Sequence, residues 1–276
     1  IELYSVTGGV PKYIELFSES SDIYRAIQKC VLNRSGYLYD EPHFLLQQEV
    51  SEVGSYFSII KAIAAGNHKL STIAAVLEVK STNLTKYLKT LMDLDILERR
   101  VPVTEENPEK SKRGLYKIKD NYLRFWFAFI YPNMSFIESG HSGIVMDKIR
   151  KGLTTSHIGF VYEDICEERM WELNVNNTWP FQFSKLGGYW DAKNEIDIAA
   201  LDPEGKNLIL GECKYWKEPV GLNVLHALEA KACDVAWERD RRKVWYVLFS
   251  ISGFSDELRN HAATRDDLLL IDDRGR

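Results

Sequence analysis

Two apolar segments that lie close together in the sequence constrain the fold of this chain more than any other feature. Residues 196–201 and 208–214 have the composition of β-strands, and the Asp-Pro-Glu-Gly-Lys segment at 202–206 between them is typical of a turn. We therefore predict an antiparallel hairpin. If residue 202 pairs with residue 207, Asp197 lies directly opposite Glu212 and both side chains project from one face. A slip of one residue would separate them.

The elements around this hairpin predict an α/β sandwich with a mixed sheet for residues 156–276. An amphipathic helix precedes two short strands, and after the hairpin helices alternate with strands, the first of them continuously apolar. The predicted helices cover residues 157–173, 220–237 and 255–263, and the other predicted strands cover residues 181–183, 189–190, 244–249 and 268–271.

Residues 49–120 predict a winged helix-turn-helix domain. A helical period runs through residues 53–64, and Ser71 and Ser81 are expected to cap two further short helices. Residues 96–103 and 114–118 then have the composition of two strands around a polar tip. Three helices followed by a β-hairpin are typical of a winged helix, so the whole chain combines an α+β domain with an α/β domain.

The remaining segments are predicted to be helical but not to form domains. Residues 1–48 contain a helix that follows Pro11 and another at 23–32, with Gly36 and Pro42 as breaks. They contain too few apolar residues for a core of their own. Because the chain begins at Ile1 rather than Met, we expect it to be a fragment. Residues 121–155 predict connector helices, the first ending at Pro132, whose aromatic side chains are expected to pack in a core.

Composition excludes some classes of protein. Of the 276 residues 45% are hydrophobic and 27% are charged, and no apolar run approaches the ~20 residues of a membrane span. Residues 1–155 hold 20 Lys and Arg against 18 Asp and Glu, and residues 156–276 hold 15 against 22, so any DNA contact must come from local patches. The four cysteines form no C-x-x-C pair, which favours a reducing cytoplasm over a disulfide framework or a zinc site.

The facing carboxylates predict a metal-dependent reaction. Asp197 and Glu212 would repel each other unless a positive charge lay between them, and Mg²⁺ or Mn²⁺ bound with the backbone carbonyl of Cys213 and water would supply it. Lys214, on the same face, could orient an attacking water, and Glu163 in the preceding helix could complete the acidic cluster. The chemistry this favours is phosphodiester hydrolysis. The alternative is a surface hairpin with an Asp–Lys ion pair.

These residues resemble the PD-(D/E)XK nuclease superfamily. Glu163 lies in the leading helix, Asp197 in the segment Glu-Ile-Asp-Ile at 195–198, and Glu212, Cys213 and Lys214 form the E-x-K motif. The resemblance implies a restriction-endonuclease-like α/β/α sandwich with these acids and the lysine at its active site.

More narrowly, nearly the whole chain is similar to the C-terminal two-thirds of the archaeal-type, DEXX-box group of AAA-class ATPases. The Thr-Gly-Gly-Val-Pro segment at 7–11 is similar to the lid of that family. Arg-Phe-Trp-Phe at 124–127 and Tyr-Pro-Asn at 131–133 are similar to its connector. This implies ATP binding in the full-length protein and a missing N-terminal ATPase domain as a partner. No G-x-x-x-x-G-K-[ST] loop occurs in the chain, so no ATP site is predicted within it.

DNA contacts are expected from the winged helix. Side chains of the helix that starts at Ser81 would face a major groove, and basic residues of the wing would contact the phosphate backbone. The expected groove-facing residues are Thr82, Asn83, Lys86 and Lys89, and the expected wing residues are Lys110, Lys112 and Arg113. A protein-docking role for the winged helix is the alternative. The basic run at 239–243 is expected to cap a helix end rather than to contact DNA.

The sequence thus predicts the C-terminal fragment of a DNA-associated ATPase, with a winged helix and a magnesium-dependent deoxyribonuclease domain. The alternative is a catalytically silent DNA-binding or docking module that tethers the ATPase to its target. A transcription regulator built on the winged helix alone would leave the acidic sheet without a role. No membrane partner is expected, and the sequence does not specify an oligomeric state.

Overall fold

The structure is a computed structural model that describes residues 1–274. The chain divides into two compact units. The first consists of Ile1–Arg100 and Arg113–Ile158, and the second of Val101–Lys112 and Gly159–Arg276. The segments predicted at 1–48, 49–120 and 121–155 therefore fall into one unit, apart from the tip of the predicted wing, which belongs to the other.

Four short helices open the first unit: α1 (Glu2–Thr7), α2 (Pro11–Ser18), α3 (Ile23–Cys30) and α4 (Glu41–Glu49). Pro11 stands in the first turn of α2, as predicted, where its missing N–H leaves no hydrogen bond unmade. For the same reason Pro42, predicted to be a break, is accommodated in the first turn of α4, which begins at Glu41.

Three helices and a two-stranded hairpin follow, in the predicted order. They are α5 (Val53–Ala64), α6 (Leu70–Val76), α7 (Ser81–Asp93), β1 (Leu97–Arg100) and β2 (Leu115–Ile118). α5 packs against α6, α7 and β2, and Leu97 pairs with Ile118 across the antiparallel hairpin. The predicted caps were wrong, because α6 follows Lys69 and α7 follows Lys80, so that Ser71 and Ser81 lie inside the helices.

The predicted connector region is helical, as a series of helices and single helical turns. α8 (Asn121–Phe125) continues through a π-helical turn and a 3₁₀ turn into α9 (Met134–Glu138), and α10 (Ser142–Leu153) leads into a second π-helical turn. Pro132 does not end this run, because it lies in the first turn of the 3₁₀ segment. The expectation of aromatic packing is confirmed, since Tyr122, Phe125, Trp126 and Phe127 are buried.

The second unit is a five-stranded mixed sheet with helices on both faces. Its elements are α11 (Gly159–Val175), β3 (Lys185–Trp190), β4 (Glu195–Leu201), β5 (Asn207–Lys214), α12 (Leu222–Asp234), β6 (Lys243–Ser250), α13 (Asp256–Ala262) and β7 (Leu268–Asp272). The strands are ordered β3-β4-β5-β6-β7; the first three are antiparallel and the last three are parallel. The predicted mixed α/β sheet is therefore confirmed.

One predicted strand of this unit does not form. Residues 181–183 are irregular because the amide side chain of Asn174 takes both backbone groups of Phe183. Its Oδ1 accepts from the Phe183 N–H and its Nδ2 donates to the Phe183 carbonyl, both at 3.0 Å. These groups are then unavailable for a strand ladder.

The core of the second unit lies mainly between α12, α13 and one face of the sheet, and α11 packs on β4 and β5. Val103, from the segment Val101–Lys112, packs against this core and donates its backbone N–H to the Gly188 carbonyl of β3 at 3.0 Å. Within residues 1–274, no helix combines the length and the apolar character needed to cross a bilayer.

Candidate functional site

The β4–β5 hairpin brings Asp197 and Glu212 together as its sequence predicts. Ile198 pairs with Gly211 and Leu201 with Leu208, which is the register that sets residue 197 opposite residue 212. A Cβ atom on Gly211 would lie 2.6 Å from Cγ1 of Val247, so the position before Glu212 requires glycine. The close contact of β5 with β6 thus fixes the strand that carries Glu212.

Lys214 lies between the two carboxylates. Its ammonium group donates to Oε2 of Glu212 and stands 3.3 Å from Oδ2 of Asp197. The side chains are 18% exposed for Lys214, 15% for Asp197 and 6% for Glu212. These charges are therefore largely withdrawn from water, which makes their pairing strong and their positions well defined.

A second lysine completes the cluster, and the sequence reasoning missed it. Lys231, near the end of α12, donates to Oε1 of Glu212 at 2.6 Å and to the backbone carbonyl of Glu195 at 2.7 Å. Each oxygen of the Glu212 carboxylate therefore accepts from a different lysine. We name Asp197, Glu212, Lys214 and Lys231 the acid–lysine cluster. The signal available in the sequence was a lysine in the final turns of the predicted helix at 220–237, which follows the strand that carries Glu212.

The titration of the cluster follows from burial and from its internal charges. Burial raises the pKa of Asp197, and the neighbouring Glu212 charge raises it further. Burial also acts to raise the pKa of Glu212, but Lys214 and Lys231 hold it below its ordinary value. Burial acts to lower the pKa of Lys214, and the two carboxylates reverse this and raise it. Glu212 is thus held ionised, and Asp197 is the carboxyl most easily protonated.

The two sides of β5 differ in chemistry at this point. Cys213 projects away from the cluster and its thiol interacts with that of Cys166 on α11, while its backbone N–H donates to Oδ2 of Asp197 at 2.8 Å. Glu163 on α11 acts electrostatically on the Cys213 thiol, and burial raises the pKa of that thiol well above its ordinary value. The membership of Glu163 in the site, and of the Cys213 carbonyl as a ligand, stays a prediction.

The donor set suits a hard divalent cation with few protein ligands. The Lys214 ammonium occupies the position on which Oδ2 of Asp197 and Oε2 of Glu212 converge, so a metal ion held by both carboxylates would take its place. Two carboxylates with water are a common set for Mg²⁺. Among residues 1–274 there is no group of three or more His, Cys, Asp and Glu side chains able to hold a metal ion.

The predicted DNA-contacting residues fall into two groups. Thr82, Asn83, Lys86 and Lys89 are exposed on α7, as a groove-facing set requires. Lys110 and Lys112 are exposed in the segment that belongs to the second unit, and Arg113 is exposed in the first unit. Near α12, Arg239 and Arg242 donate to the carbonyls of Asp234 and Ala232, so these two residues of the 239–243 run cap the helix end as predicted. That the run makes no DNA contact stays a prediction.

Comparison with known proteins finds a family similarity over the region that contains the cluster. Residues 126–232 match the DUF234 family. Its description reads "Archaea bacterial proteins of unknown function", and the matched range contains all four residues of the acid–lysine cluster. The chain is also 37% identical over 218 residues to an uncharacterized protein of Methanocaldococcus jannaschii, MJECL04. That alignment covers 79% of this chain and 48% of the relative, so the chain spans about half the length of that relative.

Proposed function

We propose that the second unit hydrolyses phosphodiester bonds in DNA with the help of a divalent cation. The observation that carries the proposal is the Lys214 ammonium shared by Asp197 and Glu212, since two largely buried carboxylates of one face converge on a single positive charge. Clusters of titratable groups with perturbed pKa values occur preferentially at functional sites, which supports the proposal.

Each member of the cluster has a separate task in this proposal. Asp197 and Glu212 would hold Mg²⁺ or Mn²⁺, which when bound supplies stabilisation of negative charge on a phosphoryl oxygen. Lys214 would direct an N–H toward the attacking water or a phosphate oxygen. Lys231 is a positioning residue, because its bond to Oε1 fixes the orientation of the Glu212 carboxylate. The N–H of Cys213 fixes Asp197 in the same way.

The first unit would deliver the DNA. We propose that α5, α6, α7 and the β1–β2 hairpin form a winged helix, with exposed Lys86 and Lys89 near the DNA, in the C-terminal part of a DNA-associated AAA-class ATPase. The order of three helices and an antiparallel hairpin supports this proposal. The length of the relative leaves room for further domains outside this chain.

One observation favours a second candidate, a catalytically silent DNA-binding or docking module. The two negative charges of Asp197 and Glu212 already face the two positive charges of Lys214 and Lys231. A cluster that is neutral in itself can stabilise a fold without any cation. In that case the acid–lysine cluster is structural, and only the DNA-binding part of the proposal holds.

Incubation of the chain with supercoiled plasmid and Mg²⁺ or Mn²⁺ separates these candidates. We expect nicking that disappears in Asp197→Asn and Lys214→Met, with far-ultraviolet circular dichroism as the control for folding. Calorimetric titration with Mn²⁺ gives a second measurement that does not depend on activity, and Asp197→Asn should abolish the binding isotherm. Equal nicking by wild type and both variants would exclude this site.

A further inference from the structure

A half-exposed tryptophan lies directly beside the acid–lysine cluster. Trp216 follows β5 by two residues, and 47% of its surface is exposed. The Lys214 ammonium lies 5.9 Å from the centre of its ring, which is within the range of a cation–π contact. The ammonium group of Lys214 therefore lies next to an aromatic ring that is half exposed to solvent.

The segment that carries Trp216 is held at both ends. β5 fixes its start, and the carbonyl of Glu218 accepts from the Ser252 hydroxyl at 2.6 Å. The Val220 N–H then donates to the Gly253 carbonyl at 2.9 Å. An exposed indole on an anchored segment presents a ring of defined position, which a flexible loop would not provide.

The setting of Trp216 differs from that of the other half-exposed tryptophan of this unit. Trp171 on α11 is 44% exposed, but its ring packs on Phe183 with 5.0 Å between centroids. The Trp216 ring instead lies beside the ammonium group of Lys214. Single exposed apolar side chains are common on protein surfaces, so the position beside the cluster, and not exposure, carries the argument.

We infer that Trp216 is a stacking site for an unpaired nucleobase next to the phosphate on which the cluster acts. The inference rests on the proposed function and narrows its substrate to DNA with single-stranded character. A base inside a duplex has both faces covered by its neighbours, whereas an unpaired base can lay one face on an indole. Exposed Lys217, the next residue, places a further positive charge beside the backbone of such a strand.

The inference is tested with the whole chain and two fluorescent oligonucleotides of equal charge, twelve deoxythymidines and the same strand with abasic positions. Anisotropy is measured in Ca²⁺. We expect the wild type to bind the thymidine strand about tenfold more tightly, as stacking of one to two bases provides. Trp216→Ala should remove this preference and Trp216→Phe should restore part of it. Trp171→Ala, the matched control of similar exposure, should keep it.

The outcomes distinguish this inference from the proposed function. Discrimination against abasic DNA that persists in Trp216→Ala, or that is absent from the wild type, overturns the stacking site even if plasmid nicking depends on Asp197. Discrimination that depends on Trp216 supports the site even if no metal-dependent nicking is found. If Trp171→Ala removes the preference for the thymidine strand as Trp216→Ala does, the effect reflects general stability, and the stacking site is overturned as well.

Discussion

Lysines of the acid–lysine cluster and lysines exposed on α7 differ in burial and in pairing. Lys214 is 18% exposed and bonds two carboxylates, whereas Lys86 and Lys89 are exposed on their helix. A buried charge must be compensated where it stands, so its position and pKa are fixed by neighbours. A solvated charge is screened by salt, so it contributes little to binding alone and acts together with other charges on the same surface. In the proposed function, catalysis depends on a paired and largely buried lysine, whereas long-range attraction of DNA needs only exposed lysines.

The largest expected effect is on the proposed catalysis, and it tests whether a lysine paired inside the cluster matters more than an exposed one. Lys214→Met removes the N–H donor that both carboxylates share, so the nicking rate should fall about 10³-fold, within the range for a positioned catalytic group. Gel assays of plasmid over time measure the rate. Lys206→Met, which changes a 68% exposed lysine of the turn between β4 and β5, is the matched control and should retain most activity. A comparable loss in both variants would mean that burial does not distinguish these lysines.

His157 extends the comparison to a buried titratable group of the first unit. Its Nε2 donates to the Ser5 carbonyl at 2.6 Å, and burial lowers the pKa of its ring to about 4. Below the ordinary histidine pKa the unfolded chain takes up a proton that the folded chain refuses, so stability falls as the pH falls. Between pH 7 and pH 4 this group should remove roughly 3 kcal/mol of unfolding free energy.

Urea unfolding at several pH values checks this expectation, with His157→Gln as the reference. The variant should show a shallower loss between pH 7 and pH 4, because glutamine does not titrate. Other groups contribute equally to both proteins, so the difference isolates His157. Parallel curves for the two proteins would contradict the buried neutral histidine.

Lys231 is intermediate between the two kinds of lysine, because it is paired within the cluster but its side chain is 28% exposed. Lys231→Met leaves one oxygen of Glu212 without its partner, and unfolding should become easier by about 1–2 kcal/mol after allowance for exposure. The pKa of Glu212 should rise, which moves the acid limb of the nicking rate to higher pH. Lys231→Arg should restore the pH profile, whereas a purely structural role would change stability and leave the profile in place.

The smallest effect is expected at α7. Changing both Lys86 and Lys89 to Gln should weaken DNA binding about three- to tenfold and reduce the slope of log affinity against log salt by about 2. Anisotropy at several salt concentrations measures both quantities. The control is the double change of Lys12 and Lys29, exposed lysines that are each paired with a glutamate. An unchanged slope in the α7 variant would remove this helix from the DNA interface.

What could be predicted from the sequence depended on how local the determining contacts were. The register of β4 and β5 follows from the turn between them, so Asp197 and Glu212 could be paired from sequence alone. Lys231 could not, because its approach to Glu212 depends on how α12 crosses the sheet. The irregular backbone at 181–183 depends on Asn174, a side chain outside the segment. The prediction for Pro132 was wrong because a proline ends a helix only where the missing N–H would have donated a hydrogen bond.

The path of the chain has a consequence for dissection of the molecule. The backbone leaves the first unit after Arg100, contributes Val101–Lys112 to the second, and returns at Arg113. A C-terminal piece that starts at Gly159 would therefore lack a segment of its own unit, including the Val103 bond to Gly188 and the apolar cover that Val103 gives to the core. No single cut separates the two units, and truncation at that boundary should yield a less stable and more aggregation-prone product.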